Sequence, residues 1–91
     1  MGYSSVRLCQ GGGGFEALPR PRLRLDLPRV ADRLRAAGYS VTDARVMLIA
    51  RREREVTIAQ DGRILIKTRD AREAEQLLTE VRAFVQPGWP E

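Results

Sequence analysis

Few side chains in this chain can do covalent or acid–base chemistry, and their spacing does not assemble them. Cys9 is the single thiol, and there is no histidine. A thiolate nucleophile needs an activating base or a depressed pKa. Arg7 is the nearest cation, and a thiol in a flexible tail lacks the fixed oxyanion donors that acyl transfer requires. Without histidine the commonest neutral-pH proton shuttle and the commonest metal ligand are both gone. One thiol with scattered carboxylates does not make a four-ligand zinc centre. Glu73, Glu75 and Glu80 fall in a helical stretch beside Arg72 and Arg82, which reads as a solvated face with weak ion pairs. The run Gly11–Gly14 has neither the Lys-Ser/Thr pair nor the strand–glycine–helix order of a phosphate loop. The residue types therefore predict no catalytic residue, no metal site and no cofactor: the chain is expected not to be an enzyme.

What remains is binding chemistry, and it is arginine chemistry. The chain has 91 residues, a formal charge of +4, and sixteen basic side chains of which only Lys67 is not arginine. Arginine offers a planar fork for phosphate or carboxylate. Residues 1–38 and 39–68 are net basic, whereas residues 69–91 are net acidic. Candidate nucleic-acid contacts are Arg22, Arg24, Arg45, Arg51, Arg52, Arg54 and Arg63, each phosphate neutralised adding to a salt-dependent affinity. Aromatic platforms for base stacking are scarce, with only Tyr3, Phe15, Tyr39, Phe84 and Trp89 present, so contact to a duplex backbone is favoured over single-strand binding.

The elements that must position these groups follow from hydrophobic periodicity. Residues 1–20 read as a flexible tail, with the four-glycine run followed by Pro19 and Pro21. Residues 21–86 form one α+β domain and residues 87–91 a short C-terminal tail. Arg22 to Leu27 alternates with leucine on one side, the pattern of a half-buried strand. Pro28 opens a helix with Leu27, Val30, Ala31, Leu34 and Ala37 on one face, and Gly38 stops it. Tyr39–Thr42 and Ala44–Ala50 are strand-formers with a bend at Asp43. Arg51–Glu55 is a charged turn, and Val56–Gln60 is the next strand. Asp61-Gly62 is a hairpin turn, and Arg63–Thr68 closes that hairpin. Asp70 and Glu73 have capping-box spacing. The helix they open carries Ala71, Ala74, Leu77, Leu78, Val81, Phe84 and Val85 on one side. The predicted fold is α+β in the order β-α-β-β-β(-β)-α, an antiparallel sheet with two helices packed on one face.

This order resembles one repeat of the TATA-box-binding-protein fold. The likeness is strongest in Gly62-Arg63-Ile64-Leu65-Ile66, similar to that family's strand after a glycine turn, and in Glu73-Ala74-Glu75, similar to its Glu/Ala-rich helix; it spans about residues 22–85. The resemblance implies a curved sheet backed by helices, and a duplex-binding saddle once two repeats are joined. This chain has one repeat. Ala59 stands where that family's Phe wedge would unstack base steps, and Lys67-Thr68 stands where it carries Thr-Gly. The resemblance thus extends to fold and not to function.

Helices on one face leave the other free. Met47, Ile49, Thr57, Ala59, Leu65 and Lys67 would line it, and such a patch marks a partner surface. The expectation is a non-enzymatic interaction module, a homodimer or a subunit of a larger assembly. Nucleic-acid binding through the arginine-rich sheet and loops is the alternative. No apolar run is long enough for a membrane span, Val6 stands where a myristoylation signal carries Ser or Thr, and an isolated cysteine fits a reducing, cytoplasmic setting.

Overall fold

A computed structural model of the chain describes residues 2–3, 6–8, 13–20 and 24–85. The elements are β1 (Gly2–Tyr3), β2 (Arg7–Leu8), β3 (Phe15–Ala17), β4 (Pro19–Arg20), α1 (Leu27–Ala36), β5 (Ser40–Asp43), β6 (Met47–Arg51), β7 (Glu55–Ala59), β8 (Ile64–Ile66) and α2 (Ala71–Val85). Six strands form one antiparallel sheet in the order β2-β3-β8-β7-β6-β5, and β1 pairs with β4 beside it. The fold is α+β, as the periodicity requires.

Period-two burial identifies the two faces. Phe15, Ala17, Leu48, Ala50, Val56, Ile58, Ile64 and Ile66 are buried, and they join Val30 and Leu34 of α1 and Leu78, Val81 and Val85 of α2 in a single core. Both helices therefore cover the same side of the sheet. Each Leu or Ile so buried contributes about 1.5–3 kcal/mol.

The helix ends follow local chemistry. Asp26 caps α1, its Oδ1 accepting from Arg29 N at 3.3 Å, with Pro28 in the first turn. Gly38, at φ +93°, ends the helix in the left-handed region open to glycine. At α2, Asp70 Oδ1 accepts from Arg72 N and Glu73 N. The reciprocal half of the expected capping box is relayed. Asp70 N donates to Thr68 Oγ1 at 3.2 Å, and that hydroxyl donates to Glu73 Oε1 at 2.6 Å. Thr68 is buried and can afford neither lone donor nor acceptor, so the relay satisfies it.

Asp61-Gly62 makes the expected hairpin turn. Gly62 sits at φ +96°, Gly62 N donates to Ala59 O, and Asp61 Oδ1 accepts from Arg63 N. The β5–β6 turn differs from the expected bend at Asp43. The apolar run begins one residue later than its composition implies, because Arg45 takes φ 72° and throws Val46 to the turn apex, 58% exposed. That backbone conformation costs a non-glycine residue about 1–2 kcal/mol. Asp43 Oδ1, accepting from Arg45 N at 2.8 Å, helps hold it.

Two expectations about the front of the chain are corrected. The described part of residues 1–20 is no detached tail: Arg7 pairs with Glu16, and β3 pairs along its whole length with β8, burying Phe15 and Ala17. Gly14 is the reason. A Cβ built on it would lie 2.4 Å from the Ile66 carbonyl oxygen, so the glycine permits close approach of two backbones rather than freedom. Arg22–Leu27 does not form a strand over its described part. Leu25 and Leu27 are buried as the alternation requires, but residues 24–26 cross the end of β7, with Leu25 N donating to Gln60 O at 2.9 Å. Period two reports which side chains are buried and not what the backbone pairs with; the place beside β8 is already taken by β3. Arg22, Cys9, Gly11, Gly12 and residues 87–91 lie outside the described residues.

Candidate functional site

The helix-free face is built by register. Glu16 pairs with Leu65, Leu65 with Thr57, Thr57 with Ile49 and Ile49 with Thr42, so one row of side chains crosses five strands on the side away from the core. Met47 pairs with Ala59 in the next row. Met47, Ile49, Thr57, Ala59 and Leu65 are all half-buried, and none belongs to the core cluster. The structure thus brings five of the six expected partner-surface residues into one contiguous apolar centre on β6, β7 and β8.

Lys67, the sixth, lies just past β8 in a charged border. Arg51 reaches Glu55 at 2.6 Å, and Lys67 reaches the other oxygen of the same carboxylate at 3.3 Å. At the far edge Arg7 pairs with Glu16 at 3.1 Å. The face therefore has an uncharged middle and a margin of both signs, in which Arg7, Arg51 and Lys67 are paired and Arg63, two residues before Leu65, is exposed.

The arginines expected to touch nucleic acid divide into two groups. Arg51, Arg52 and Arg54 are consumed internally. Arg52 forms an ion pair with Glu80, donates to Ala37 O, and lies with its guanidinium carbon 4.4 Å from the centroid of the Tyr39 ring. Tyr39 is itself buried, donates to Glu80 at 2.9 Å and packs edge-on against Phe84. Arg54 pairs with Glu73 at 2.8 Å. The 52–54 turn is thereby clamped to α2, and Glu73 and Glu80 serve this tertiary clamp rather than the intrahelical pairs their spacing with Arg72 and Arg82 implies. Arg24, Arg45 and Arg63 are exposed, with no side-chain partner among the described residues.

An open cleft of about 470 Å³ lies at the start of α2, lined by Gly13, Arg54, Lys67, Thr68, Arg69, Asp70 and Glu73. Its carboxylate Glu73 is paired with Arg54, its Lys67 with Glu55, and Arg69 is exposed at its rim. Hydrogen bonds from Thr68 and then Arg54 hold the Glu73 carboxyl below its ordinary range, and Arg51 and then Lys67 do the same for Glu55. Both shifts run away from neutrality, opposite to what a general acid needs. Among the described residues no group of three His, Cys, Asp or Glu converges as a metal site, and no helix is long and apolar enough to cross a membrane.

These depressed carboxyls have a consequence for stability. Folded pKa values below the unfolded ones add stability that is complete above about pH 4.3 and lost as pH falls through the folded values. The midpoint of thermal unfolding should therefore drop on acidification from about pH 5 to pH 3, and more steeply in the wild type than in an E55Q/E73Q double variant. The two proteins should differ most at neutral pH and converge in acid. Parallel pH profiles measured by circular dichroism would contradict this.

Comparison of the chain with protein-family models, with curated proteins and with solved structures gives no match. The functional reading accordingly stands on the surface itself.

Proposed function

We propose that this chain is a small non-enzymatic interaction module that self-associates through the helix-free face of its sheet. The observation that carries this reading is the uncovered apolar centre formed by Met47, Ile49, Thr57, Ala59 and Leu65 on three adjacent strands. An apolar middle inside a polar border is the ordinary anatomy of a protein interface. The two larger extents of the molecule, 30 and 28 Å, bound a face comparable with the roughly 800 Å² per partner of a standard interface. A second copy suits it because the border carries both signs, Glu16 beside Arg7 and Glu55 beside Arg51 and Lys67, so an identical face offers carboxylates as well as cations. A reducing, cytoplasmic setting belongs to the same reading.

The succession β3, α1, β5 to β8, α2, with both helices on one side, is what a likeness to a TATA-box-binding-protein repeat implies, and it supports that resemblance at the level of fold. Function is not carried over, since Ala59 offers only a methyl group at the wedge position.

Sedimentation equilibrium tests the proposal. The wild type should be dimeric, and an I49E/L65R variant monomeric with an unchanged far-ultraviolet spectrum, because the altered side chains do not reach the core. A wild type still monomeric at about 100 μM, where an association worth only about 5–6 kcal/mol would be half complete, would defeat it. Association that persists undiminished in the double variant would place the contact elsewhere.

A further inference from the structure

The two ends of the sheet differ in how their cations are used. At the end formed by the 52–54 turn and the start of α2, Arg51, Arg52, Arg54 and Lys67 each have a carboxylate partner, while Arg69 and Arg72 are exposed without one among the described residues. At the opposite end three loops are tied edge to edge by backbone hydrogen bonds: Leu25 N donates to Gln60 O at 2.9 Å, and Gln60 N donates to Val46 O at 2.8 Å. Each loop presents an exposed arginine, Arg24, Arg63 and Arg45 respectively, whose guanidinium has no partner among the described residues. The acids of this end are Asp26, Asp43 and Asp61. Each has a carboxylate oxygen accepting from a backbone amide two or three residues on, Asp26 from Arg29 N in α1, Asp43 from Arg45 N and Asp61 from Arg63 N, and none forms an ion pair with the three arginines.

Arg45 supplies a separate observation. It occupies the left-handed region at φ 72°, where glycine or asparagine sits without strain, and its neighbour Val46 is the one large apolar side chain fully exposed among the described residues. A strained residue that keeps a long cationic side chain at a loop tip points to a binding role for that side chain.

We infer that the joined loops 24–26, 44–46 and 60–63 form a contact surface for the phosphodiester backbone of duplex nucleic acid, read through Arg24, Arg45 and Arg63. Planar guanidiniums suit phosphate oxygens. Among the described residues Phe15 and Tyr39 are buried, Phe84 packs against the Tyr39 ring, and the half-buried Tyr3 is tied by its hydroxyl to Gly62 O. A duplex gripped by its backbone therefore fits better than a single strand. This surface is distinct from the helix-free face, and its test does not depend on self-association.

The test is a fluorescence-anisotropy titration of the full chain with a labelled duplex, repeated across salt concentrations. Three phosphate contacts predict a slope of log affinity against log salt near −2.7, or roughly fortyfold weaker binding at 200 mM than at 50 mM salt. An R45G/R63Q variant should lose most of this affinity and reduce the slope by about 2. Gly suits the backbone at position 45, and a thermal melt checks that the fold is kept. An R51Q/R54Q variant, altered at the other end, should bind like the wild type. The inference is overturned by absence of salt-dependent binding to the wild type at 50 mM salt. It is equally overturned if both double variants lose the same affinity, or if heparin binds through Arg45 and Arg63 while the duplex does not.

Discussion

Replacing Gly14 by alanine should lower the thermal midpoint by roughly 10–20 °C, the shift expected of a 2–3 kcal/mol loss in a domain of this size. The new methyl would start 2.4 Å from the Ile66 carbonyl oxygen, a backbone atom that cannot swing aside. Relief requires β3 to move away from β8, and the Phe15–Ile66 pair is the first to open. Phe15 and Ala17 then lose the core contacts that anchor the front of the chain. Gly13→Ala is the control: nothing lies within 4 Å of a Cβ there. That variant should melt like the wild type or slightly higher, since alanine restricts the unfolded chain. Differential scanning calorimetry of the two variants decides the matter. Equal midpoints would mean that β3 does not pair with β8 as described. Hydrogen exchange should show the loss of protection confined first to the β3–β8 amides.

The largest effect is expected from Leu78→Asp, which should abolish cooperative unfolding altogether. Leu78 is 4% exposed and lies in the core with Val81 and Val85 of the same helix. The substitution forfeits about 1.5–3 kcal/mol of burial. It also places a carboxylate in an apolar core beside Val81 and Val85, at a further cost of several kcal/mol. A chain of this length has roughly 5–10 kcal/mol of stability in total. Leu78→Ala should cost about 2–5 kcal/mol and leave a folded protein with a lowered midpoint. A cooperative melt from the aspartate variant, with a near-ultraviolet signal like the wild type, would show that α2 is not seated on the sheet.

Which parts were legible beforehand depends on how local their causes are. Both helices, the Gly38 stop, the Gly62 turn and the identity of the buried face come from signals confined to a few neighbouring residues: apolar spacing of 3.6 or 2, a proline in a first turn, a glycine at positive φ. The partner-surface residues are legible for the same reason. Once Leu48, Ile58, Ile64 and Ile66 face the helices, Met47, Ile49, Thr57, Ala59 and Leu65 must face away.

The segment before α1 shows the limit of such signals. Its leucine alternation identifies Leu25 and Leu27 as buried, yet the strand beside β8 is β3, which ends at Ala17, upstream of that alternation, because Gly14 lets that backbone approach Ile66. In the sequence a glycine run reads the same whether it supplies freedom or proximity. The arginines show the limit again. Arg24, Arg45, Arg52, Arg54 and Arg63 are equivalent as letters, and the pairing of Arg52 with Glu80 and of Arg54 with Glu73 is set by where α2 crosses the sheet.

The chain's own order of residues thus determines an α+β domain with one greasy side to its sheet and a reverse side that the helices leave bare. Only the tertiary structure decides which cations are neutralised and which are left at a loop tip. Charge pairing acts between side chains distant in sequence and within about 4 Å in space, a separation that no local pattern encodes.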